Sequence, residues 1–182
     1  MSSVWLVRHA PTTLMGICYG QSDVPVTPEP AEAARLVAQH WEAEGMNAPS
    51  ELWTSPWVRA QTVAAELARR WQISLHVDAR LSELSFGLWE GREYSEIERT
   101  DAVRWEHWMR NYEIEAPPRG ETVAQLRARV AAWLEERKAD RESVLAVTHA
   151  GVVRTARAVV AGMPYSAVVG DAVSHLRPER IV

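Results

Sequence analysis

The sequence of 182 residues has a single cysteine, Cys18, so it cannot form a disulfide within the chain. This scarcity is typical of proteins from a reducing compartment. No apolar stretch approaches the roughly 20 residues that a membrane-spanning helix needs, and the first residues lack the basic region and apolar run of a secretory signal. We therefore expect a cytoplasmic protein that is not bound to a membrane.

The sequence also lacks an excess of positive charge and the histidine spacing of a helical metal site. The net charge of −4 gives no basic footprint for nucleic acid, although local arginines can still attract an anionic substrate. None of the six histidines lies four residues from another, so a helical two-histidine metal site is missing. No Gly-x-Ser-x-Gly turn occurs, which argues against a serine hydrolase. We expect no nucleic-acid partner, no metal and no other cofactor.

What the chain does have is enough apolar material for one core. Hydrophobic residues make up 47% of it, and we find no repeat, low-complexity tract or linker. The length suits one domain of ordinary size. We therefore expect a single domain over residues 1–182.

Two apolar stretches end in histidine. Residues 4–7 lead into Arg8 and His9, and residues 144–148 lead into His149. Both stretches read as buried strands of a parallel sheet, whose carboxyl ends are where ligands bind in α/β proteins. Arginine suits phosphate, and the helical spacing of residues 152–160 puts His149 at a helix N-terminus, which attracts anions. The pattern predicts two imidazoles side by side at an anion site.

The remaining predicted elements alternate between helices and strands, as judged from the spacing of their apolar residues. Helical spacing of apolar residues covers 30–44, 58–71, 96–112 and 121–138, and strand patterns cover 51–54, 73–77 and 172–176. The alternation predicts an α/β protein with a largely parallel sheet. His175 falls in the last predicted strand and is interpreted as structural.

Five stretches together resemble the histidine phosphatase superfamily, which has the phosphoglycerate mutase-like fold. The family hallmark Arg-His-Gly stands here as Arg8-His9-Ala10. The other matches follow in the family's order: residues 54–62 (TSPWVRAQT), 81–91 (LSELSFGLWEG), 118–122 (PRGET) and 148–151 (THAG). The resemblance implies a three-layer α/β/α sandwich with a mostly parallel central sheet and a helical cap segment around 92–118.

The resemblance also assigns roles that the residues alone leave open. Arg59 lies in the first turn of the helix predicted over 58–71, where a cation opposes the helix dipole. Its position is compatible with a solvent-exposed side chain or with contact to a bound anion. Glu83 and Glu90 are equally plausible acids among aromatic residues. The family pattern implies that His9 is the nucleophile and Glu83 the proton donor. It also implies that Arg8, Arg59 and His149, with His9, bind the phosphate.

The loop after the first strand carries the only hint of the substrate. Its pattern Gly-x-Cys-Tyr-Gly-x-x-Asp, over residues 16–23, resembles that of α-ribazole phosphatases of cobalamin assembly. This implies substrate contacts from Tyr19, Gly20 and Gln21, while Cys18 is expected to be a small, semi-buried residue. Met15 stands where the family often has Asn, and Ala10 where it has Gly, so one pocket donor is lost and the space beside His9 is narrower.

These observations predict a metal-independent phosphatase that hydrolyses a small phosphate monoester through a phosphohistidine, with α-ribazole 5′-phosphate as the suggested substrate. Three alternatives stay open: a broad-specificity small-molecule phosphatase, a phosphoglycerate mutase, and a non-catalytic phosphoester-binding module. A mutase needs a longer cap than this chain offers, and Ala10 is the residue most favourable to the non-catalytic module. The sequence leaves the oligomeric state open, a homodimer included.

Overall fold

A computed structural model describes residues 3–139 and 143–182. The strands are β1 (Ser3–Arg8), β2 (Glu51–Thr54), β3 (Leu75–Val77), β4 (Ser143–Thr148) and β5 (Glu179–Arg180). The helices are α1 (Pro30–Ala43), α2 (Val58–Trp71), α3 (Tyr94–Thr100), α4 (Ala102–Asn111), α5 (Val123–Ala139) and α6 (Ala150–Val160). Short 3₁₀ helices lie at Ala79–Leu81, Gly87–Trp89 and Tyr165–Ala167.

The described strands form one sheet in the order β3-β2-β4-β1-β5. The first four are parallel, and β5 pairs antiparallel to β1. Strands β1 and β4 are neighbours, with Arg8 opposite Thr148 at their carboxyl ends. Because the two parallel strands end at this same pair, the residues that follow them leave the sheet at the same edge.

Alternation along the central strands separates two cores. Val4, Leu6, Val144 and Ala146 face one cluster, which contains apolar residues of α5 and α6. The intervening residues of the same strands face a second cluster with α1 and α2. A strand with both faces buried needs apolar residues at every position, which explains the unbroken apolar runs. The three-layer α/β/α sandwich with a mostly parallel sheet is confirmed.

Two sequence predictions need correction. The strand predicted over 172–176 is wrong: only an isolated bridge joins His175 to Arg8 there, and the last strand is Glu179–Arg180. Leu176 has a left-handed backbone, with φ of 57°, which interrupts an extended strand. The helix predicted over 96–112 is divided at Asp101, whose backbone is not helical and whose carboxylate accepts a hydrogen bond from the Trp89 indole.

The loop of residues 16–23 is tied to the segment before α3. Cys18 is fully buried beside Trp89 and Ile97, and it exchanges backbone hydrogen bonds with Gly91 and Arg92. Burial raises the pKa of the Cys18 thiol to about 12, so the thiol stays protonated and is a poor nucleophile. No helix within the described residues is long and apolar enough to cross a membrane.

Candidate active site

The two predicted histidines meet at the carboxyl edge of the sheet. His9 follows β1, His149 follows β4 as the residue before α6, and their ring centroids lie 5.1 Å apart in an edge-on arrangement. Both side chains are buried. The parallel pairing of β1 with β4 therefore places the imidazoles as the sequence pattern predicts.

The hydrogen bonds around His9 assign its tautomer. Its Nδ1 lies 2.7 Å from the carbonyl oxygen of Ala10, which can only accept, so Nδ1 carries the proton. On the other side, Nε of Arg59 donates to Nε2 of His9 at 3.3 Å. Nε2 therefore holds a lone pair, which is the form that a nucleophile needs.

Burial and positive neighbours keep both imidazoles neutral. Burial, followed by Arg59 and Arg8, lowers the pKa of His9 to about 3. Burial and Arg59 also hold the pKa of His149 well below its usual value. His9 is therefore uncharged at neutral pH, and its Nε2 lone pair accepts the hydrogen bond from Arg59.

These shifts predict that acid destabilises the fold. In the unfolded chain each imidazole titrates near pH 6.5, roughly, so below that pH the unfolded state binds more protons than the native state. For His9 the free energy of unfolding should therefore fall as the pH drops from about 6.5 towards about 3, by roughly 1.4 kcal/mol per pH unit at most, and His149 should add to this fall. Urea unfolding between about pH 7 and about pH 5 measures this slope.

His9→Gln should flatten the slope by the share of one imidazole. His107→Gln makes the same substitution at an exposed position beside Glu115 and is the control for the substitution itself. Equal slopes in His9→Gln and the wild-type protein would show that His9 titrates normally in the native state.

Arg59 is a buried cation whose hydrogen-bond partners are all uncharged. Only 1% of it is exposed. Besides His9, its guanidinium donates to the carbonyl oxygens of Ser22, at 2.7 Å, and Gly20, at 2.5 Å. A buried cation is costly without a counter-charge. An anion bound beside His9 would supply that charge.

Arg8 has an unused donor at the same edge. Its Nη1 donates to the carbonyl oxygen of Val173 at 3.0 Å, while its buried Nε has no hydrogen-bond partner among the described residues. Arg8 thus keeps hydrogen-bonding capacity for a ligand. With Arg59 it places two guanidinium groups at this corner of the sheet, where the carboxylate of Glu83 offsets part of their charge.

The structure separates the two acids that the sequence left equivalent. Oε2 of Glu83 accepts a hydrogen bond from the backbone N–H of Gly151 at 3.1 Å, so the carboxylate lies at the N-terminus of α6 beside His149. Glu90 instead accepts hydrogen bonds from the backbone of Gln21 and Phe86 and from the hydroxyl of Ser22. Glu83 joins the histidine cluster, and Glu90 fastens the loop.

The close approach of the Glu83 carboxylate explains why residue 151 is glycine. A Cβ on Gly151 would lie 2.2 Å from Oε1 of Glu83, closer than non-bonded atoms can come. Only glycine lets the carboxylate reach the backbone N–H at this helix end.

The three loop residues that the resemblance implies as substrate contacts all lie against the histidine cluster or its neighbours. The Tyr19 ring centroid lies 5.6 Å from the Arg59 guanidinium, and the Tyr19 hydroxyl is 2.9 Å from that of Thr12. Gly20 supplies a carbonyl to Arg59, and Gln21 donates its side-chain amide to the carbonyl oxygen of Glu83 at 3.0 Å. The loop therefore touches both the cationic and the acidic side of the cluster.

Sequence reasoning missed two supporting residues. His175, interpreted as structural, lies with its ring centroid 5.7 Å from that of His9, and its Nδ1 is 2.6 Å from the His9 carbonyl oxygen. Arg129 donates to the carbonyl oxygens of Ser82, at 2.6 Å, and Glu83, at 3.1 Å, and pairs with Glu121. Neither has a local signal, because both contacts join distant parts of the chain.

Comparison with known proteins agrees with this geometry. The model of the histidine phosphatase superfamily (branch 1) matches residues 4–174. The chain belongs to this family. The resemblance drawn from its five motifs is confirmed, and the protein is a phosphatase.

Relatives of this chain are named for different activities. The chain is 28% identical to the putative phosphoserine phosphatase 2 of Hydrogenobacter thermophilus, covering 90% of this chain and 80% of that one. It is 27% identical to the adenosylcobalamin/alpha-ribazole phosphatase of Escherichia coli, covering 90% and 81%. The structure of the alpha-ribazole phosphatase from Shigella flexneri superposes with a TM-score of 0.86 at 24% identity, over 98% of this chain and 89% of that one.

Proposed function

We propose that this phosphatase hydrolyses small phosphate monoesters without a metal, through a phosphohistidine on Nε2 of His9. The observation that carries the proposal is the lone pair on Nε2 of a neutral, buried His9, directed at the Arg59 guanidinium. A phosphate bound to that guanidinium would bring its phosphorus within reach of Nε2.

In the first step, Nε2 of His9 attacks phosphorus and the bond from phosphorus to the ester oxygen breaks. Glu83 gives its proton to the departing oxygen, so the leaving group departs as an alcohol. Arg8 and Arg59 balance the charge on the phosphate oxygens, and the neutral His149 contributes a hydrogen bond, which together meet the main requirement of phosphoryl transfer. The Ala10 carbonyl stabilises the positive charge that develops on the His9 ring, through its hydrogen bond with Nδ1.

In the second step, water attacks the phosphohistidine and the bond from phosphorus to Nε2 breaks. Glu83, now ionised, takes a proton from the water. The products are inorganic phosphate and a His9 ready for another turnover. Glu83 regains its proton in this same step, so it can donate again in the next turnover.

Access to His9 requires movement of the loop that carries Gly20 and Ser22. Both carbonyls occupy donors of Arg59, and His9 is only 2% exposed. We propose that the ester displaces these contacts, and that α3 and α4 act as a cap behind the loop, within a single domain. The aromatic cluster of Trp89, Trp105 and Trp108 supports this, since it packs α4 against the segment that holds the loop.

For the substrate, we propose α-ribazole 5′-phosphate, which places the reaction in cobalamin biosynthesis in the cytoplasm. Two observations support it: the loop pattern over residues 16–23, and the similarity to a relative named for that activity. Tyr19 lies on Arg59, where its ring can stack on a flat base. The relative named as a phosphoserine phosphatase makes phosphoserine the second candidate.

A substrate panel tests this proposal. We expect a higher kcat/KM for α-ribazole 5′-phosphate than for phosphoserine or 3-phosphoglycerate, and equal rates with and without a chelator. Tyr19→Ala should raise KM for the ribazole ester by about 2- to 13-fold, because an aromatic pair contributes about 0.5–1.5 kcal/mol beyond area burial. KM for the two small esters should not change.

Tyr19→Phe is the matched control, since it keeps the ring and removes only the hydroxyl bonded to Thr12. It should behave as the wild-type protein on all three esters. A flat profile across the panel would identify a broad-specificity phosphatase, and a preference for phosphoserine would favour the second candidate.

A further inference from the structure

The buried ring of His149 is hydrogen-bonded on one side only. Its Nε2 lies 2.7 Å from the hydroxyl oxygen of Ser55, while its Nδ1 has no hydrogen-bond partner among the described residues. The ring is completely buried. Because leaving a buried polar atom unpaired is costly, the free Nδ1 marks the atom that a ligand would contact.

The surroundings of Ser55 leave its hydroxyl proton available to His149. Its hydroxyl oxygen is 3.4 Å from the backbone nitrogen of Trp57, from which it accepts a hydrogen bond. A hydroxyl has one proton to donate, and with the oxygen accepting from Trp57 that proton is free to point at His149. The Ser55 backbone is itself fixed, since its N–H donates to the carbonyl oxygen of Val147 at 3.0 Å.

We propose that Ser55 is a positioning residue that donates to Nε2 of His149 and so fixes the tautomer with the proton on Nδ1. That N–H is then the donor that His149 offers to the transferring phosphoryl group. A neutral imidazole has one N–H only. In the opposite tautomer, Nδ1 would present a lone pair to the phosphate oxygens and repel them.

This inference rests on the proposed function only in giving His149 a phosphate to contact. The tautomer itself is a property of the resting protein. Burial and Arg59 hold the pKa of His149 well below its usual value, so the ring is neutral near pH 7 and one tautomer can be read. Correlation of ring nitrogens with ring protons by NMR, on protein labelled with ¹⁵N-histidine, distinguishes the two forms.

We expect the wild-type spectrum to show His149 protonated on Nδ1, and Ser55→Ala to shift it towards the other tautomer. The same variant should lower kcat by about 10-fold or more, because one transition-state donor is lost, with little change in KM. Ser55→Thr, which keeps a hydroxyl at the same position, should restore both the tautomer and part of kcat.

Thr54→Val is the matched control. Thr54 is the preceding residue, is equally buried, and directs its hydroxyl to the carbonyl oxygens of Ser55 and Val147 instead of to a histidine. It should leave the His149 tautomer unchanged. If Ser55→Ala does not fold, Ser55→Cys, whose thiol is a weak donor, gives the same comparison.

Two results would overturn the inference: a wild-type His149 protonated on Nε2, or a Ser55→Ala protein with the wild-type tautomer. A loss of kcat in Thr54→Val equal to that in Ser55→Ala would reduce Ser55 to a structural role. Failure of the wild-type protein to form a phosphohistidine would instead overturn the proposed function, and it would leave the NMR result standing.

Discussion

His9→Ala should abolish phosphatase activity, with kcat reduced by roughly 10⁴-fold or more, as when an enzyme loses its nucleophile. The Arg59 guanidinium, proposed to hold the phosphate, is hydrogen-bonded to Nε2 of His9, so the ester would lie beside that nitrogen. His149 directs Nε2 to Ser55 and carries its proton on Nδ1 in the tautomer proposed above, so neither of its nitrogens offers a free lone pair.

The phosphoenzyme provides a second measurement of the same change. Wild-type protein mixed with labelled ester should carry the label on an alkaline gel, because phosphohistidine survives alkali and is lost in acid. The His9→Ala protein should carry none, whereas His107→Ala, at an exposed position, should label as the wild-type protein does. Label retained on His9→Ala would show that another residue is the nucleophile.

Glu83→Gln should lower the rate most when the leaving group is poor. The amide keeps the shape of the carboxylate and an oxygen for the N–H of Gly151, but it has no acidic proton. For an alkyl phosphate, the phosphorylation step should slow by about 10²- to 10⁴-fold, the usual contribution of a general acid. For an aryl phosphate the loss should be smaller, because a phenolate leaves without help. Rapid-mixing measurements of the first turnover isolate this step from dephosphorylation.

Glu90→Gln is the control for an acid that holds structure. Glu90 fastens the loop through Gln21 and Phe86, so its loss should reduce both rates by the same factor. If Glu83→Gln also slowed both esters equally, its role as the proton donor would be contradicted.

The pairing of the two histidines was predictable from the sequence because it follows from local patterns. An unbroken apolar run predicts a strand buried on both faces, and parallel neighbours end at one edge. His9 and His149 come directly after such runs, so their meeting required only that β1 and β4 be adjacent. The helical spacing after His149 likewise predicted α6. The N-terminus of this helix includes the backbone N–H of Gly151, which donates a hydrogen bond to Glu83.

The failed predictions concern residues whose conformation depends on distant contacts. His175 was assigned to a strand, yet the left-handed backbone at Leu176 ends the extended segment and the imidazole turns towards His9. The helix division at Asp101 depends on the Trp89 indole, twelve residues away. Periodicity reports which side of an element is apolar, and it contains no information about such contacts.

The sequence by itself determined most of the element types, the faces they bury and the family, because each depends on residues close together in the chain or on motifs read in order. The resemblance implied Glu83 as the acid, but only the tertiary structure shows that its carboxylate lies beside His149, which nitrogen of His9 holds the lone pair, and that Ser55 touches His149. These are distances between atoms brought together by packing. A shift of about 1 Å decides whether such a hydrogen bond exists, and no pattern along the chain specifies position that finely.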